Sequence, residues 1–209
     1  LGKLRAGMET ANLRFSDFLA SLAREGEALQ RSKKLEDLAE GTSIGPDLAD
    51  LGKGYVAVYT LVSDKALHLI VVSPDAQVAR SIRINEEMLN GTVAMFRQAL
   101  QDPTRDPRPA AKELYDLLIA PIEQDLVQAD AKVVLWSLDR SLRYVPMGAL
   151  YDGTKYALER WPMAVFTPAS KARMKDAPQH DWRVLALGVT AAYPPFPALP
   201  AVADELAGL

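Results

Sequence analysis

The chain of 209 residues is long enough for one large domain or two small lobes, and its 49% hydrophobic and 24% charged residues exclude an intrinsically disordered protein. The formal net charge is −3, and the basic residues Arg31, Lys33 and Lys34 are followed at once by Glu36 and Asp37, so the charge pattern argues against nucleic-acid binding. No apolar run approaches the ~20 residues that cross a bilayer, so we predict no membrane-spanning segment.

The chain contains no cysteine. Within these residues this excludes disulfide bonds, thiolate metal sites and a cysteine nucleophile, and it agrees with a cytoplasmic protein. We expect neither a cofactor nor a metal ion. The chain begins at Leu1 rather than Met and ends within an apolar pattern, Val202, Leu206 and Leu209, that is typical of the first turns of a helix. We therefore expect a piece of a longer polypeptide.

The first 39 or so residues have the pattern of an amphipathic helix. Apolar residues recur in alternating steps of four and three, which places them on one helix face: Leu4, Met8, Ala11, Phe15, Phe18 and Leu22. Such a helix cannot bury its apolar face alone, so it packs on the following domain or continues an upstream helical array. Gly41, Gly45 and Pro46 mark its end.

From Gly54 the period changes to that of β-strands. Tyr55 to Val62 is rich in β-branched and aromatic residues, and Leu67 to Val72 follows after a polar turn. Val78 to Ile84 alternates apolar with polar residues after a second turn. These three segments predict an antiparallel meander.

Two helices are predicted next, from about Glu86 to Leu100 and from Ala110 to about Asp125. The proline-rich stretch between them, residues 102–109, cannot continue a helix. Pro121 should kink the second helix or split it in two.

The segment 131–150, AKVVLWSLDRSLRYVPMGAL, combines an apolar strand, Val133 to Trp136, with a polar turn. The chain then returns at Leu142 to Pro146 and ends in a short helical or turn-like piece, Met147 to Leu150. We expect Asp139 to cap the turn that follows it by accepting backbone N–H bonds, with a substrate-lining role as the alternative. Trp136, Tyr144 and Pro146 are expected to be core and turn residues rather than ligand contacts.

The rest of the chain shows weaker patterns, predicting an Asp-Gly turn at residues 152–155, a strand from Met163 to Thr167 and a short helix that starts at Pro168. Next come a buried strand, Trp182 to Gly188, then a proline-rich loop and a helix from about Ala201. We expect the strands at 131–136 and 183–187 to be central in the sheet, because their apolar runs are nearly continuous.

Several segments, in order, resemble the CHAT domain, a caspase-like cysteine peptidase family that usually follows tetratricopeptide repeats. Residues 114–122, LYDLLIAPI, are similar to the family's "Leu-Tyr-x-Leu-Leu-Ile-x-Pro-Leu" helix, and the 131–150 segment to its "Leu-x-Tyr-x-Pro-x-x-Ala-Leu" block. Glu159-Arg160 and Pro168 to Ser170 resemble its "Leu-x-Glu-Arg" and "Pro-Ser-Ala-Ser" segments. Residues 185–188 and 203–206 look like the first strand and helix of the caspase-like core.

The resemblance implies an α/β fold, with a mixed β-sheet flanked by helices in a pseudo-caspase lobe. It divides the chain into a helical segment at 1–40, an amino-terminal lobe at 41–175, and a truncated start of the caspase-like core at 182–209. The family's nucleophilic cysteine and its histidine base would lie beyond Leu209, so no catalytic, cofactor-binding or metal-binding residue is assigned within this chain. The fragment would be catalytically silent.

The resemblance also implies partners and a setting. The complete protein, expected to be bacterial and cytoplasmic, would hydrolyse a protein substrate or bind a regulatory protein, under the control of upstream helical repeats, with no nucleic acid and no membrane involved. The alternative is a scaffold of the same fold that binds other proteins without catalysis.

The two histidines invite other interpretations. His68 is expected to be a residue of a strand face rather than a base, and His180 lies in a polar linker beside Asp181. A serine triad of Ser170, His180 and Asp181 lacks the Gly-x-Ser-x-Gly elbow that such a nucleophile needs. No further glycines follow Gly188 in a phosphate-binding pattern.

Overall fold

The structure, a computed structural model, describes residues 44–167, 170, 173–174, 176 and 185–208. The chain divides into two compact units, Leu1–Lys175 and Asp176–Leu209. The helix predicted for residues 1–40 lies outside the described residues.

The first unit is organised around a five-stranded mixed sheet, and this confirms the predicted α/β class. Its order is β3-β2-β1-β4-β5. β2 runs antiparallel to both of its neighbours, β1 and β3, whereas β4 and β5 run parallel to β1. The strands are β1 (Tyr55–Val62), β2 (Ala66–Val72), β3 (Gln77–Arg83), β4 (Val133–Ser137) and β5 (Met163–Val165). The meander is therefore confirmed, and β4 lies inside the sheet as expected.

Burial on both faces explains the continuous apolar runs of β1 and β2. In β1, Val56 and Val58 belong to the core on one face, whereas Ala57, Tyr59 and Leu61 belong to the core on the other. Because successive side chains point to opposite faces, a strand that is covered on both sides needs apolar residues at nearly every position. The alternating sequence of β3 fits an edge strand, which is covered less completely.

The larger core lies between one sheet face and a layer of helices. These are α2 (Glu86–Gln101), α3 (Arg108–Leu118) and α4 (Glu123–Gln128). Asn85 caps α2, since its Oδ1 accepts a hydrogen bond from the Met88 N–H at 2.7 Å. A 3₁₀ turn at Ala120–Ile122 separates α3 from α4, which confirms the predicted break at Pro121, a residue that has no N–H for an interior helical bond.

The opposite sheet face packs on α1 (Ile44–Leu51) and on Phe166. Ile44 and Leu48 of α1 are completely buried there. Phe166 meets Tyr59 edge-on, with ring centroids 5.5 Å apart. A short helix, α5 (Ala157–Arg160), precedes β5.

The second unit contains the predicted helix, α6 (Ala201–Ala207). The strand predicted at 182–188 is wrong in its described part: residues 185–188 form no strand, and Leu185 and Leu187 are 85% and 86% exposed. The expectation that 183–187 is a central strand fails with it, because a strand forms by pairing and none of the described strands pairs with these residues. Residues 182–184 lie outside the described part.

Gly188 packs closely against α6. A Cβ atom at this position would lie 2.3 Å from Val202 Cγ1 and 3.0 Å from Leu206 Cδ1. The packing leaves no room for a side chain here, and this accounts for a glycine at position 188.

Candidate functional site

The carboxyl ends of the parallel strands β1, β4 and β5 share one edge of the sheet, where open α/β sheets commonly carry their ligands. At this edge the chain leaves β4 at Ser137 and turns into a 3₁₀ helix, Arg140–Tyr144. Asp139 lies between them and is buried. Asp139 therefore lies at the edge of the sheet where ligands commonly bind.

Asp139 joins β4 to the end of β1. Its Oδ2 accepts a hydrogen bond from the Val62 N–H at 3.0 Å, and its own N–H donates to Thr60 Oγ1 at 2.8 Å. Thr60 Oγ1 in turn donates to the Ser137 carbonyl at 3.4 Å. The paired register of β1 with β4 ends at Tyr59 and Ser137, so these side chains continue the connection where the backbone ladder stops.

The predicted capping role of Asp139 is therefore wrong in its target. The 3₁₀ helix that follows has no side-chain hydrogen bond from Asp139 at its start. The carboxylate instead satisfies a backbone N–H 77 residues earlier in the chain. A buried N–H without a partner is costly, so the bond from the Val62 N–H to Asp139 stabilises the fold.

His68 lies in β2, as expected for a strand-face residue. It is buried, and its Nδ1 is 2.8 Å from Ser81 Oγ, on the paired position of β3. No cysteine exists in the chain for such a histidine to activate.

Of the residues considered for a serine triad, His180 and Asp181 lie outside the described part. Ser170 has local partners: its Oγ donates to the Thr167 carbonyl at 3.0 Å and accepts from the Thr167 N–H at 2.8 Å. These bonds are typical of a Ser/Thr turn.

A polar network connects two of the segments that carry the resemblance. Arg160 Nη1 is 2.6 Å from Glu123 Oε1 and donates to the Tyr115 hydroxyl at 2.9 Å. The Tyr115 hydroxyl donates to Glu123 Oε2 at 3.2 Å. The Arg160 guanidinium also stacks on Trp161, 4.2 Å from the ring centre. The network therefore ties α3, α4 and α5 together.

The electrostatics of this network stabilise the neutral tyrosine. Burial raises the pKa of Tyr115 to about 12, with Arg160 opposing and Glu123 reinforcing the shift. A phenol held neutral at physiological pH acts as a hydrogen-bond donor and acceptor, not as a base. The network has the properties of a structural connection.

A hollow of about 420 Å³ lies between the end of α2 and the loop after the 3₁₀ helix. Its lining includes Tyr144 and Pro146, which are both exposed, Tyr144 by 64%. The expectation of a core residue is therefore wrong for Tyr144, whereas Pro146 lies in the turn between two 3₁₀ helices and Trp136 is completely buried, as expected. The short 3₁₀ helix turns Tyr144 outward and Val145 inward, an alternation that the spacing of the sequence did not reveal.

Arg97, which no sequence pattern singled out, also lines this hollow. Its guanidinium lies 5.0 Å from the centre of the Tyr144 ring. An arginine on the polar face of an amphipathic helix is usually solvated, so the single sequence contains no signal that brings it to the 131–150 segment.

A second hollow, of about 550 Å³, lies at the opposite edge of the sheet. Its wall includes Asp125 of α4, which Arg80 holds by two hydrogen bonds of 3.0 and 2.7 Å. Lys53 and Asp75 add one charge of each sign, and a third carboxylate, that of Asp130, is paired with Lys132 at 2.7 Å. This mixed and already neutralised lining selects no class of ligand.

In the described part of the chain, no cluster of three histidine or acidic side chains is arranged to hold a metal ion. Nor does that part contain a helix with the length and apolarity required to span a bilayer.

The carboxyl-terminal part of the chain is similar to a known family. Residues 108–209 match the family model of the CHAT domain, which confirms the resemblance seen in the motifs. The match starts at the first residue of α3. No curated protein matches the chain. Among solved structures, the chain is similar to one described as "PilM-PilN type IV pilus biogenesis complex", with 13% identity and a TM-score of 0.31 over 62% of this chain and 41% of the other. The chain thus spans about two fifths of that structure's length, and a similarity at this level supports no argument about function.

Proposed function

We propose, from the premise that residues 108–209 belong to the CHAT domain family, that this chain is the amino-terminal portion of a caspase-like cysteine peptidase. The complete protein would hydrolyse peptide bonds with a cysteine and a histidine outside these 209 residues. The chain itself would supply a non-catalytic lobe. The observation that carries the proposal is a CHAT match in a chain that contains no cysteine.

The chemistry of the described residues supports a silent lobe. A cysteine peptidase needs a thiolate and a nearby base, and the thiol is missing from the whole chain. His68 is buried within the sheet, with its Nδ1 2.8 Å from Ser81 Oγ. At the carboxyl edge, Asp139 and Thr60 are engaged with backbone groups.

The packing supports a rigid supporting role for the same lobe. Two segments that resemble the family's motifs meet through Tyr115 and Arg160, and a third is connected to β1 through Asp139. The residues of these motifs therefore hold strands and helices together. Catalysis would instead require a reactive group such as a thiolate.

The test is a peptidase assay on two proteins, the purified 209-residue chain and the complete polypeptide, with a library of fluorogenic peptides. We expect no hydrolysis by the chain, and hydrolysis by the complete protein that a thiol-alkylating reagent abolishes. Hydrolysis by the chain would overturn the silent lobe. Activity of the complete protein that survives alkylation would overturn the cysteine mechanism.

A scaffold without catalysis is the second candidate, and the exposed hollow at Arg97 and Tyr144 favours it because surface arginine and tyrosine are typical of protein interfaces. The residues encoded after Leu209 distinguish the two. A histidine-glycine segment and a later cysteine after an apolar strand support the peptidase, and the loss of either supports the scaffold.

A further inference from the structure

The hollow between α2 and the 131–150 segment has an unusual charge arrangement. It is lined by two exposed arginines, Arg97 and Arg143, and by no acidic residue. Elsewhere in the described residues Arg83 and Arg173 also form no ion pair, but five arginines each pair with a carboxylate: Arg80, Arg105, Arg108, Arg140 and Arg160. In the same part of the chain, neither Arg97 nor Arg143 forms one.

Both guanidiniums are positioned by contacts within the fold. Arg143 Nε donates to the Leu138 carbonyl at 3.1 Å. This bond orients the guanidinium group and leaves its two terminal nitrogens available. Arg97 lies over the Tyr144 ring, so a cation–π contact orients it. A ligand therefore meets charges that have already lost part of their side-chain freedom.

The rest of the lining is apolar apart from Gln101. Leu100 of α2 and Pro146 contribute exposed apolar surface. Val145, between Tyr144 and Pro146, is buried in the core and anchors this stretch. The hollow thus combines two positive charges with an aromatic ring and aliphatic surface.

We propose that this hollow binds an acidic segment of a partner protein, in which a glutamate or aspartate lies next to an apolar side chain. Arginine matches a carboxylate with paired hydrogen bonds, and arginine and tyrosine carry much of the binding energy at protein interfaces. The occupant follows from charge complementarity: two arginines without carboxylates face a volume of about 420 Å³, enough for a few side chains. A nucleic acid needs a longer basic stripe, whereas the net charge of this chain is −3.

The test begins with a displayed library of random peptides, selected on the 209-residue chain. Sequences that also bind the double variant R97Q/R143Q are removed. We expect the surviving peptides to be enriched in glutamate or aspartate beside leucine, phenylalanine or a similar residue. Survivors without acidic enrichment would overturn the proposal, as would a failure of any peptide to discriminate the double variant.

The best peptide is then labelled, and its binding is measured by fluorescence anisotropy. R97Q and R143Q should each weaken binding about tenfold, as the loss of a charge-assisted contact predicts. The matched control is R83Q, since Arg83 is an exposed arginine of β3 outside the hollow, and it should bind like the unmodified chain. Equal losses in all three variants would show a non-specific charge effect and would refute the site.

Competition separates other anions from a peptide. A single-stranded oligonucleotide, inorganic phosphate and phosphatidylserine vesicles are each added to the complex. We expect none of them to displace the peptide at concentrations where the unlabelled peptide does. Displacement by any of the three at peptide-like concentrations would overturn recognition of an acidic segment. The readout is binding alone, so it does not depend on whether the complete protein is a peptidase.

Discussion

Replacing Thr60 by valine tests whether the connection between β1 and β4 stabilises the fold. The two side chains have nearly the same shape and β-propensity, and Thr60 is buried. The change removes the acceptor of the Asp139 N–H bond of 2.8 Å and the weaker donation to Ser137 at 3.4 Å. The main loss is therefore one buried N–H left without a partner.

The magnitude follows from two opposing contributions. A buried donor without a partner costs about 1–3 kcal/mol, and the methyl group that replaces the hydroxyl returns up to about 0.8 kcal/mol of apolar burial. We expect Thr60→Val to lower the free energy of unfolding by about 1–2 kcal/mol. With a urea dependence of about 2 kcal/mol per molar, the unfolding midpoint should fall by about 0.5–1 M.

The assay is urea unfolding followed by circular dichroism, with Thr92→Val as the matched control. Thr92 is also buried, but its hydroxyl only donates, to the Met88 carbonyl at 3.2 Å and to the exposed Glu113 at 3.3 Å. The same substitution there leaves no N–H unpaired, so the midpoint should stay almost unchanged. Equal effects of the two substitutions, or a midpoint that rises in Thr60→Val, would refute the reasoning.

Three further predictions concern the same lobe. Burial raises the pKa of Tyr115 from about 10 to about 12, so its contribution to stability is complete below pH ~10 and is lost as the pH rises towards about 12. Tyr115→Phe should flatten the fall of urea stability in that window, and an identical pH profile would contradict the shift. Arg80→Met should lower the free energy of unfolding by about 1–2 kcal/mol, because it leaves the buried Asp125 carboxylate without both of its hydrogen bonds while Arg80 itself is partly exposed; a urea midpoint equal to that of the unmodified chain would argue against this. Gly54 has φ = +85°, and a Cβ there would lie 2.5 Å from Lys132 Cγ, so Gly54→Ala should cost more than about 1 kcal/mol. Gly91→Ala, in the open interior of α2, should instead stabilise by about 0.5–1 kcal/mol, and thermal melts with both changes of the same sign would refute the comparison.

The local elements were predictable because their causes are local. The alternation and β-branching of residues 55–84 require only neighbours along the chain to indicate strands, and the missing N–H of Pro121 breaks the interior of a helix. The apolar run of β4 indicated a strand covered on both faces, and the sheet places it between β1 and β5. The apolar run at Leu185 and Leu187 also predicted a strand, and this prediction was wrong, because an apolar run supplies no pairing partner by itself.

The features of the candidate site were not predictable to the same degree. Asp139 was recognised as a residue of interest, but its partner Val62 lies 77 residues away, and sequence spacing is silent about such pairs. Tyr144 was expected to be a core or turn residue rather than a ligand contact. The short 3₁₀ helix turns it to the surface, where it meets Arg97 from a different helix.

The sequence by itself revealed the similarity of residues 108–209 to the CHAT domain, the order of most elements and the absence of a cysteine from the chain, since each depends on residue identity or on short-range periodicity. Only the tertiary structure decided what the residues of the 131–150 segment do. It connected Asp139 to β1, buried Trp136, and exposed Tyr144 beside two arginines without carboxylate partners among the described residues. The physical reason is that hydrogen-bond satisfaction and charge pairing depend on which distant segments meet, and folding brings those segments together.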